Sequence, residues 1–242
     1  MRPLPIHLRV PWGIGSALAV YFLAWVGSTI ILVAILRLAA IYVVEAQMYL
    51  QALSSGDIYA SFGLTLANAI IALGLEAWYL KRYNLSWKAV GWRGFNLWQA
   101  ALYLLGIFVT FAVAVNALLW ILPFFVPGFN SQQPQVNEFT SSTQTNSVIT
   151  LIALVIIPPI IEETVFRGFI FPAFAKKWGM VSGAIASSVL FGFAHLQANI
   201  SVYTFILGLL LCFLYVRLKS IFPGMFFHML NNYLAVMAMT GK

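Results

Sequence analysis

Apolar stretches long enough to cross a lipid bilayer recur along the whole chain. Each has roughly 17 to 25 predominantly apolar residues, the length that an α-helix needs to cross ~30 Å of hydrocarbon. The chain of 242 residues is 62% hydrophobic and only 8% charged, with a mean hydropathy of +0.93, which is far from the balance of a soluble domain. Because hydrocarbon offers no partner for backbone N–H and C=O groups, such stretches form helices. We therefore expect an all-α, polytopic transmembrane helix bundle.

The apolar runs predict seven to eight membrane spans. The first run is expected to be a retained span, because its apolar core is longer than that of a signal peptide and no clear cleavage site follows it. We divide the chain into N-terminal transmembrane helices, 1–146, and a C-terminal transmembrane core, 147–242. The first part contains an external polar loop and a segment, 83–99, whose tryptophans and basic residues predict a position at the membrane interface. The predicted spans are residues 12–36, 58–80, 97–124, 147–175, 180–197, 200–218 and 221–240.

The distribution of positive charge predicts orientation in a membrane rather than a nucleic-acid partner. The net charge is +7, but apart from Arg37, Lys242 and Arg167, which lies within a predicted span, the basic residues fall on alternate connections between the predicted spans. This pattern places the N-terminus in the cytoplasm. We expect an integral protein of a prokaryotic plasma membrane. The opposite connections, which contain no Lys or Arg, are 38–57, 125–146 and 197–200.

An acidic pair lies in the middle of a predicted span, although the chain has only six acidic residues. A charge at the centre of a span costs roughly 2.5–3.5 kcal/mol, so such residues are functional candidates. Pro158 and Pro159 are expected to break the helix, which would place the pair in the first turn of a new one. Glu163 and Arg167 are spaced for an i, i+4 ion pair. Glu162 lies about 100° round the helix and is left free to act as a base.

Two further pairs of polar or aromatic residues are spaced by four. Phe191 and His195 share one predicted helical face, and His228 and Asn232 share another. Together with Glu162 they suit water activation by Glu and His, and stabilisation of an oxyanion by His and Asn. They also suit zinc, because Glu and two His are a common ligand set, although the sequence contains no HExxH motif.

A simple count of helical rise places these candidate residues at unequal depths. From the predicted cytoplasmic ends of the spans, Glu162 lies ~20 Å deep, His228 ~12 Å and His195 ~24 Å. Their convergence in one pocket therefore needs a helix break, tilt, or different span boundaries.

The three motifs together resemble those of the intramembrane CAAX-protease and bacteriocin-processing (CPBP, or ABI) family, which includes the type II prenyl-protein endopeptidases. The signature of this family is EExxxR, FxxxH and HxxxN, in that order on successive helices. In this chain the motifs are Glu162-Glu163-Thr-Val-Phe-Arg167, Phe191-Gly-Phe-Ala-His195 and His228-Met-Leu-Asn-Asn232.

The resemblance implies a role for each matching residue. Glu162 and His195 would activate a water that attacks a peptide carbonyl, while His228 and Asn232 would stabilise the oxyanion. The similar catalytic set works without metal in the mechanism usually drawn for the prenyl proteases, so we expect no cofactor and disfavour zinc. The implied supporting residues are Glu163, Arg167 and Phe191.

The sequence is thus interpreted as an intramembrane protease, a CAAX prenyl endopeptidase-like glutamate-type hydrolase. Its expected partners are the bilayer and a membrane-associated peptide or a prenylated or otherwise lipidated protein, with no nucleic acid. The alternative is a non-catalytic membrane scaffold or bacteriocin-immunity-type protein that uses the same polar network structurally. A transporter is disfavoured because no inverted repeat is visible.

Overall fold

The structure is a computed structural model, and it describes residues 4–125 and 147–240. Most of these residues are helical and none lies in a strand, which confirms the all-α expectation for the described part of the chain. Apart from its first residue, the expected external loop 125–146 lies outside the described ranges. The helices are α1 Ile14–Ala39, α2 Val44–Ser54, α3 Ile58–Arg82, α4 Leu97–Phe125, α5 Val148–Trp178, α6 Met180–Phe193, α7 Ala198–Leu218 and α8 Phe222–Thr240.

Within the described residues, five helices are long and apolar enough to cross a membrane: α1, α3, α4, α5 and, from Ile200, α7. Their bounds agree within a few residues with five of the seven predicted spans. The other two predicted spans contain α6, a shorter apolar helix, and α8, which has 19 residues and is not among the five. The predicted connection 38–57 contains the short helix α2.

The expected helix break at Pro158 and Pro159 is wrong, because α5 runs through both prolines. Proline lacks an N–H, so the carbonyl of Leu154, four residues before Pro158, loses its normal helical donor. The side-chain amide of Asn232 donates to this carbonyl at 3.0 Å. A distant side chain thus replaces the missing donor, and the acidic pair lies inside a long helix rather than in a first turn.

Contacts divide the chain into two units, each built from several segments. The first contains Met1–Ala17, Leu85–Gln133 and Glu162–His228. The second contains Leu18–Asn84, Pro134–Ile161 and Met229–Lys242. The division at residue 146 that the sequence suggests stays a prediction.

In the first unit, α6 packs between the C-terminal part of α5 and α7. Glycine allows the close approach on both sides. A Cβ at Gly183 would lie 2.5 Å from the backbone nitrogen of Ala175, and a Cβ at Gly208 would lie 2.9 Å from the Cβ of Ser188. The backbones of α5, α6 and α7 are therefore held at short, fixed distances.

The segment that precedes α1 is packed onto α5 in the same unit. The Trp12 ring stacks on Phe169 with centroids 4.8 Å apart, and its Nε1 donates to the Phe169 carbonyl at 3.0 Å. The Lys176 ammonium donates to the carbonyl of Val10 at 3.1 Å. These contacts fix the C-terminal half of α5.

His7 lies in this segment and is 4% exposed. Burial, together with the positive charges of Arg93 and Lys219, lowers the pKa of His7 to about 4. His7 is therefore neutral at neutral pH and packs edge-on against the ring of Tyr215.

The second unit contains most of α1 and all of α2 and α3. The Asp57 carboxylate caps α3 by accepting from the backbone N–H of Ala60 at 2.8 Å. Glu76, placed near a span end by the sequence, is fully buried in α3, and its carboxylate has no hydrogen-bond partner among the described residues.

Candidate active site

Glu163 joins the helix α5 to the helix α8 through one carboxylate oxygen. Its Oε1 accepts from Arg167 Nη1 at 2.8 Å and from His228 Nδ1 at 3.1 Å. The exposed fractions are 0% for Glu163, 1% for Arg167 and 2% for His228. The structure thus contains the predicted i, i+4 pair, and adds an imidazole to it.

Arg167 has two further contacts besides this ion pair. Its Nη2 donates to the carbonyl of Gly208 at 3.3 Å, and its Cζ lies 4.4 Å from the centroid of the Phe191 ring. A guanidinium over an aromatic face is attracted by the ring quadrupole. Arg167 therefore links α5 to α6 and α7 within the first unit.

Glu162 faces the other edge of the His228 ring. Its Oε2 lies 3.6 Å from His228 Nε2, which is too long for a hydrogen bond. The Glu162 side chain is 14% exposed, whereas that of Glu163 is 1% exposed. The two adjacent acids therefore differ: Glu163 is buried and its Oε1 accepts from two donors, although its Oε2 has no hydrogen-bond partner among the described residues, whereas Glu162 is partly accessible.

His195 lies in the turn after α6 rather than inside a helix, which corrects the expected placement. The helix ends at Phe193, and the backbone turns through Leu196 at φ 56°. His195 Nδ1 lies 2.9 Å from the carbonyl of Phe191. Because a carbonyl only accepts, Nδ1 carries the hydrogen, and Nε2 is the acceptor when the ring is neutral.

Phe191 is the shared contact of both imidazoles. Its fully buried ring meets that of His195 edge-on at 5.2 Å and that of His228 edge-on at 5.7 Å between centroids. The ring therefore restrains the orientation of each histidine by packing, which matches its implied supporting role.

Asn232 lies one helical turn after His228 on α8. One hydrogen of its amide is committed to the carbonyl of Leu154, and its Oδ1 lies 3.4 Å from the Nδ2 of Asn231. An amide nitrogen carries two hydrogens, so a second one remains for another acceptor.

The unequal depths expected from helical rise are wrong for Glu162 and His228, which lie 3.6 Å apart. The expected depth of His228 was calculated from the turn before α8, on the assumption that this turn lies at the membrane surface. The turn residues Ser220 and Ile221 are instead buried at 0% and 1% exposure, and Gly91 accepts from the Ile221 N–H at 3.0 Å. The segment that contains Gly91 thus packs against the turn before α8, so this turn is not exposed at the surface of the protein.

The sequence did not predict the bond between Glu163 and His228, which joins residues 65 apart in the chain. No local spacing signals it. Among the described residues, no group of three or more His, Cys, Asp or Glu side chains is placed to hold a metal ion. Cys212 is buried in the apolar core.

The fold and the site define a polytopic α-helical membrane protein with a buried acid–imidazole–guanidinium network. The family model described as "Type II CAAX prenyl endopeptidase Rce1-like" matches residues 144–234. The resemblance predicted from the three motifs is therefore confirmed over this segment, which contains all of them.

A curated relative supports the same class. The chain is 28% identical over 143 residues to a protein of Bacillus subtilis (strain 168) named "Putative membrane peptidase YdiL". The match covers 58% of this chain and 55% of the relative, so the chain spans about half the length of the relative that it matches. No solved structure matches the chain.

Proposed function

We propose that this chain is an intramembrane endopeptidase in which Glu162 is the general base. The proposal rests on the difference between the two adjacent acids. Glu163 is buried and bonded to Arg167 and His228, whereas Glu162 is 14% exposed and only approaches His228, at 3.6 Å. A carboxylate that retains acceptor capacity beside a histidine is suited to activating water.

In the proposed reaction, Glu162 takes a proton from a water molecule whose oxygen adds to the carbonyl carbon of a peptide. His195 holds the same water through Nε2, the nitrogen that its bond to the Phe191 carbonyl leaves as an acceptor. The C–N bond then breaks, and Glu162 returns the proton to the leaving amine. The products are a carboxylic acid and an amine, so atoms and charge balance.

His228 and Asn232 donate to the oxyanion of the tetrahedral intermediate. His228 has a carboxylate near each ring nitrogen, Glu163 at Nδ1 and Glu162 at Nε2. In the proposed step, Nδ1 donates to Glu163 and Nε2 donates to the oxyanion. A single oxyanion donor typically contributes roughly 2.7–4 kcal/mol to catalysis. Asn232 donates with the amide hydrogen that Leu154 does not take.

We also propose that the reaction needs no transition metal. A ring that donates from both nitrogens has no lone pair for a metal, so His228 cannot serve as ligand and oxyanion donor together. The substrate class that we propose is a membrane-associated peptide or a prenylated or otherwise lipidated protein, which is what the description of the matching family suggests.

The test is cleavage of quenched fluorescent peptides in proteoliposomes, with prenylated and unprenylated versions of each peptide. Glu162→Gln keeps the size of the side chain and removes the base, so we expect normal folded yield and a loss of activity of about 10²-fold or more. As the matched control, Glu163→Ala leaves Arg167 buried and unpaired. Breaking a buried pair typically costs about 3–5 kcal/mol, so this variant should lose folded yield.

Full activity in Glu162→Gln would disprove the assignment of the base. Absence of cleavage by the wild-type protein on every peptide, together with a loss of folded yield in both variants, would favour the scaffold alternative. A Glu163→Ala protein as stable as wild type would contradict the supporting role of that residue.

A further inference from the structure

The segment 87–93, which the sequence places at the membrane interface, packs against helices that carry the candidate site. Val90 is fully buried, and a Cβ added at Gly168 of α5 would lie 2.8 Å from the Val90 Cβ. Gly91 has φ 92°, and its carbonyl accepts from the N–H of Ile221 just before α8. We call residues 87–93 the brace, because they contact both α5 and the start of α8.

Trp92 is the residue of the brace that contacts both helices with its side chain. Its Nε1 donates to Thr164 Oγ1 at 3.1 Å, and its ring meets that of Phe222 edge-on at 5.6 Å between centroids. Thr164 directly follows Glu163 on α5, and Phe222 is the first residue of α8, six positions before His228. One side chain thus connects the two halves of the acid–imidazole contact.

We propose that Trp92 is a positioning residue that sets the separation between Glu162 and His228. This inference rests on the proposed function, in which that separation sets the distance between the general base and an oxyanion donor. Thr164 is fully buried, so a shift at its hydroxyl is transmitted through tightly packed backbone to the adjacent acids. A displacement of about 1 Å at reacting groups can cost about 10²-fold in rate.

Trp92→Phe and Thr164→Val each remove one partner of the hydrogen bond and keep most of the packing volume. We expect kcat to fall between about 10-fold and 100-fold in both, with KM and folded yield close to wild type. Thr164→Ser keeps the hydroxyl and should retain activity. Trp98→Phe is the matched control, because Trp98 is 83% exposed in the same unit, and it should behave as wild type.

The double variant Trp92→Phe/Thr164→Val tests whether the two residues act through one bond. If they do, its kcat should be no lower than that of the worse single variant. Wild-type kcat in Trp92→Phe, multiplied losses in the double variant, or an equal loss in Trp98→Phe would each overturn the positioning role.

A measurement without turnover separates this inference from the proposed function. In spectra of ¹⁵N-histidine-labelled protein, with the His228 signals assigned from a His228→Gln variant, Trp92→Phe should shift these signals and Trp98→Phe should not. If the wild type cleaves no peptide while Trp92→Phe shifts the signals, the proposed function fails and the positioning role stands. If the wild type cleaves and Trp92→Phe changes neither the signals nor kcat, the positioning role is wrong.

Discussion

At the scale of single residues, the orientation of two imidazoles decides what the site can do. His195 is held by a carbonyl, which fixes Nδ1 as its donor, and His228 is held by the carboxylate of Glu163. A carbonyl and a carboxylate have different effects on a histidine ring. A carbonyl can only accept, so His195 uses Nδ1 as its donor and leaves Nε2 for another partner, whereas His228 has a carboxylate near each of its ring nitrogens. The two histidines are therefore suited to different steps of one reaction.

This difference leads to a prediction about metal. If His228 donates from both nitrogens, the purified protein should contain no stoichiometric transition metal and should keep its activity in EDTA or phenanthroline. Elemental analysis and assays before and after chelator treatment check both expectations. One zinc per chain, lost together with activity and restored by added zinc, would make His228 a ligand and contradict its role as an oxyanion donor.

At the scale of elements, α5 shows what local sequence patterns can and cannot predict. The pair of Glu163 and Arg167 followed from an i, i+4 spacing, because both partners lie on one helix. The continuation of the helix through Pro158 could not be predicted in this way. The donor that replaces the missing N–H is the side chain of Asn232, 78 residues away in sequence from the Leu154 carbonyl that it binds. Local patterns predict contacts within a helix, whereas contacts between helices need the packed structure.

The close crossing of α6 and α7 gives a prediction at this scale. In Gly208→Ala the new Cβ would lie 2.9 Å from the Cβ of Ser188, so α7 must shift and the bond from Arg167 to the residue 208 carbonyl must lengthen. Overpacking of this kind costs typically about 1–3 kcal/mol. Thermal unfolding in detergent should show a lower transition temperature.

Gly106→Ala is the matched control for this substitution, because a Cβ at Gly106 in α4 would meet no atom within 4 Å. Its stability should equal that of wild type or exceed it slightly. Equal stability of both alanine variants would mean that the crossing of α6 and α7 can relax without loss.

At the scale of the whole molecule, hydropathy predicted the bounds of the helices better than the contacts that they make. Five predicted spans agree within a few residues with helices long enough to cross a membrane. Hydropathy also gave α8 as a span, and the mixture of tryptophans and basic residues gave the segment 83–99 as an interfacial anchor. Neither pattern predicted the contact of residues 87–93 with the candidate site. That contact depends on Gly91 and Gly168, whose importance is visible only where two backbones meet.

The orientation of the chain is a prediction that belongs to this scale. The alternation of basic and Lys/Arg-free connections predicts that Ser86 lies in the cytoplasm and Ser142 on the opposite side. Single cysteines at these positions, in a background where the buried Cys212 is replaced by alanine, should react with an impermeant reagent from opposite sides of the membrane. Labelling of both from one side would disprove the predicted topology.

The location of Glu163 and Arg167 on one helix also affects the order of events during synthesis. Their ion pair needs only a turn of α5, so the two charges can neutralise each other as soon as that helix enters the bilayer. His228 follows Glu163 by 65 residues, a delay of roughly 3 to 13 s at a ribosome adding about 5–20 residues per second. A nascent chain therefore carries Glu163 in a paired form until α8 is made, and under the proposed function the site is incomplete, and so without activity, during that delay.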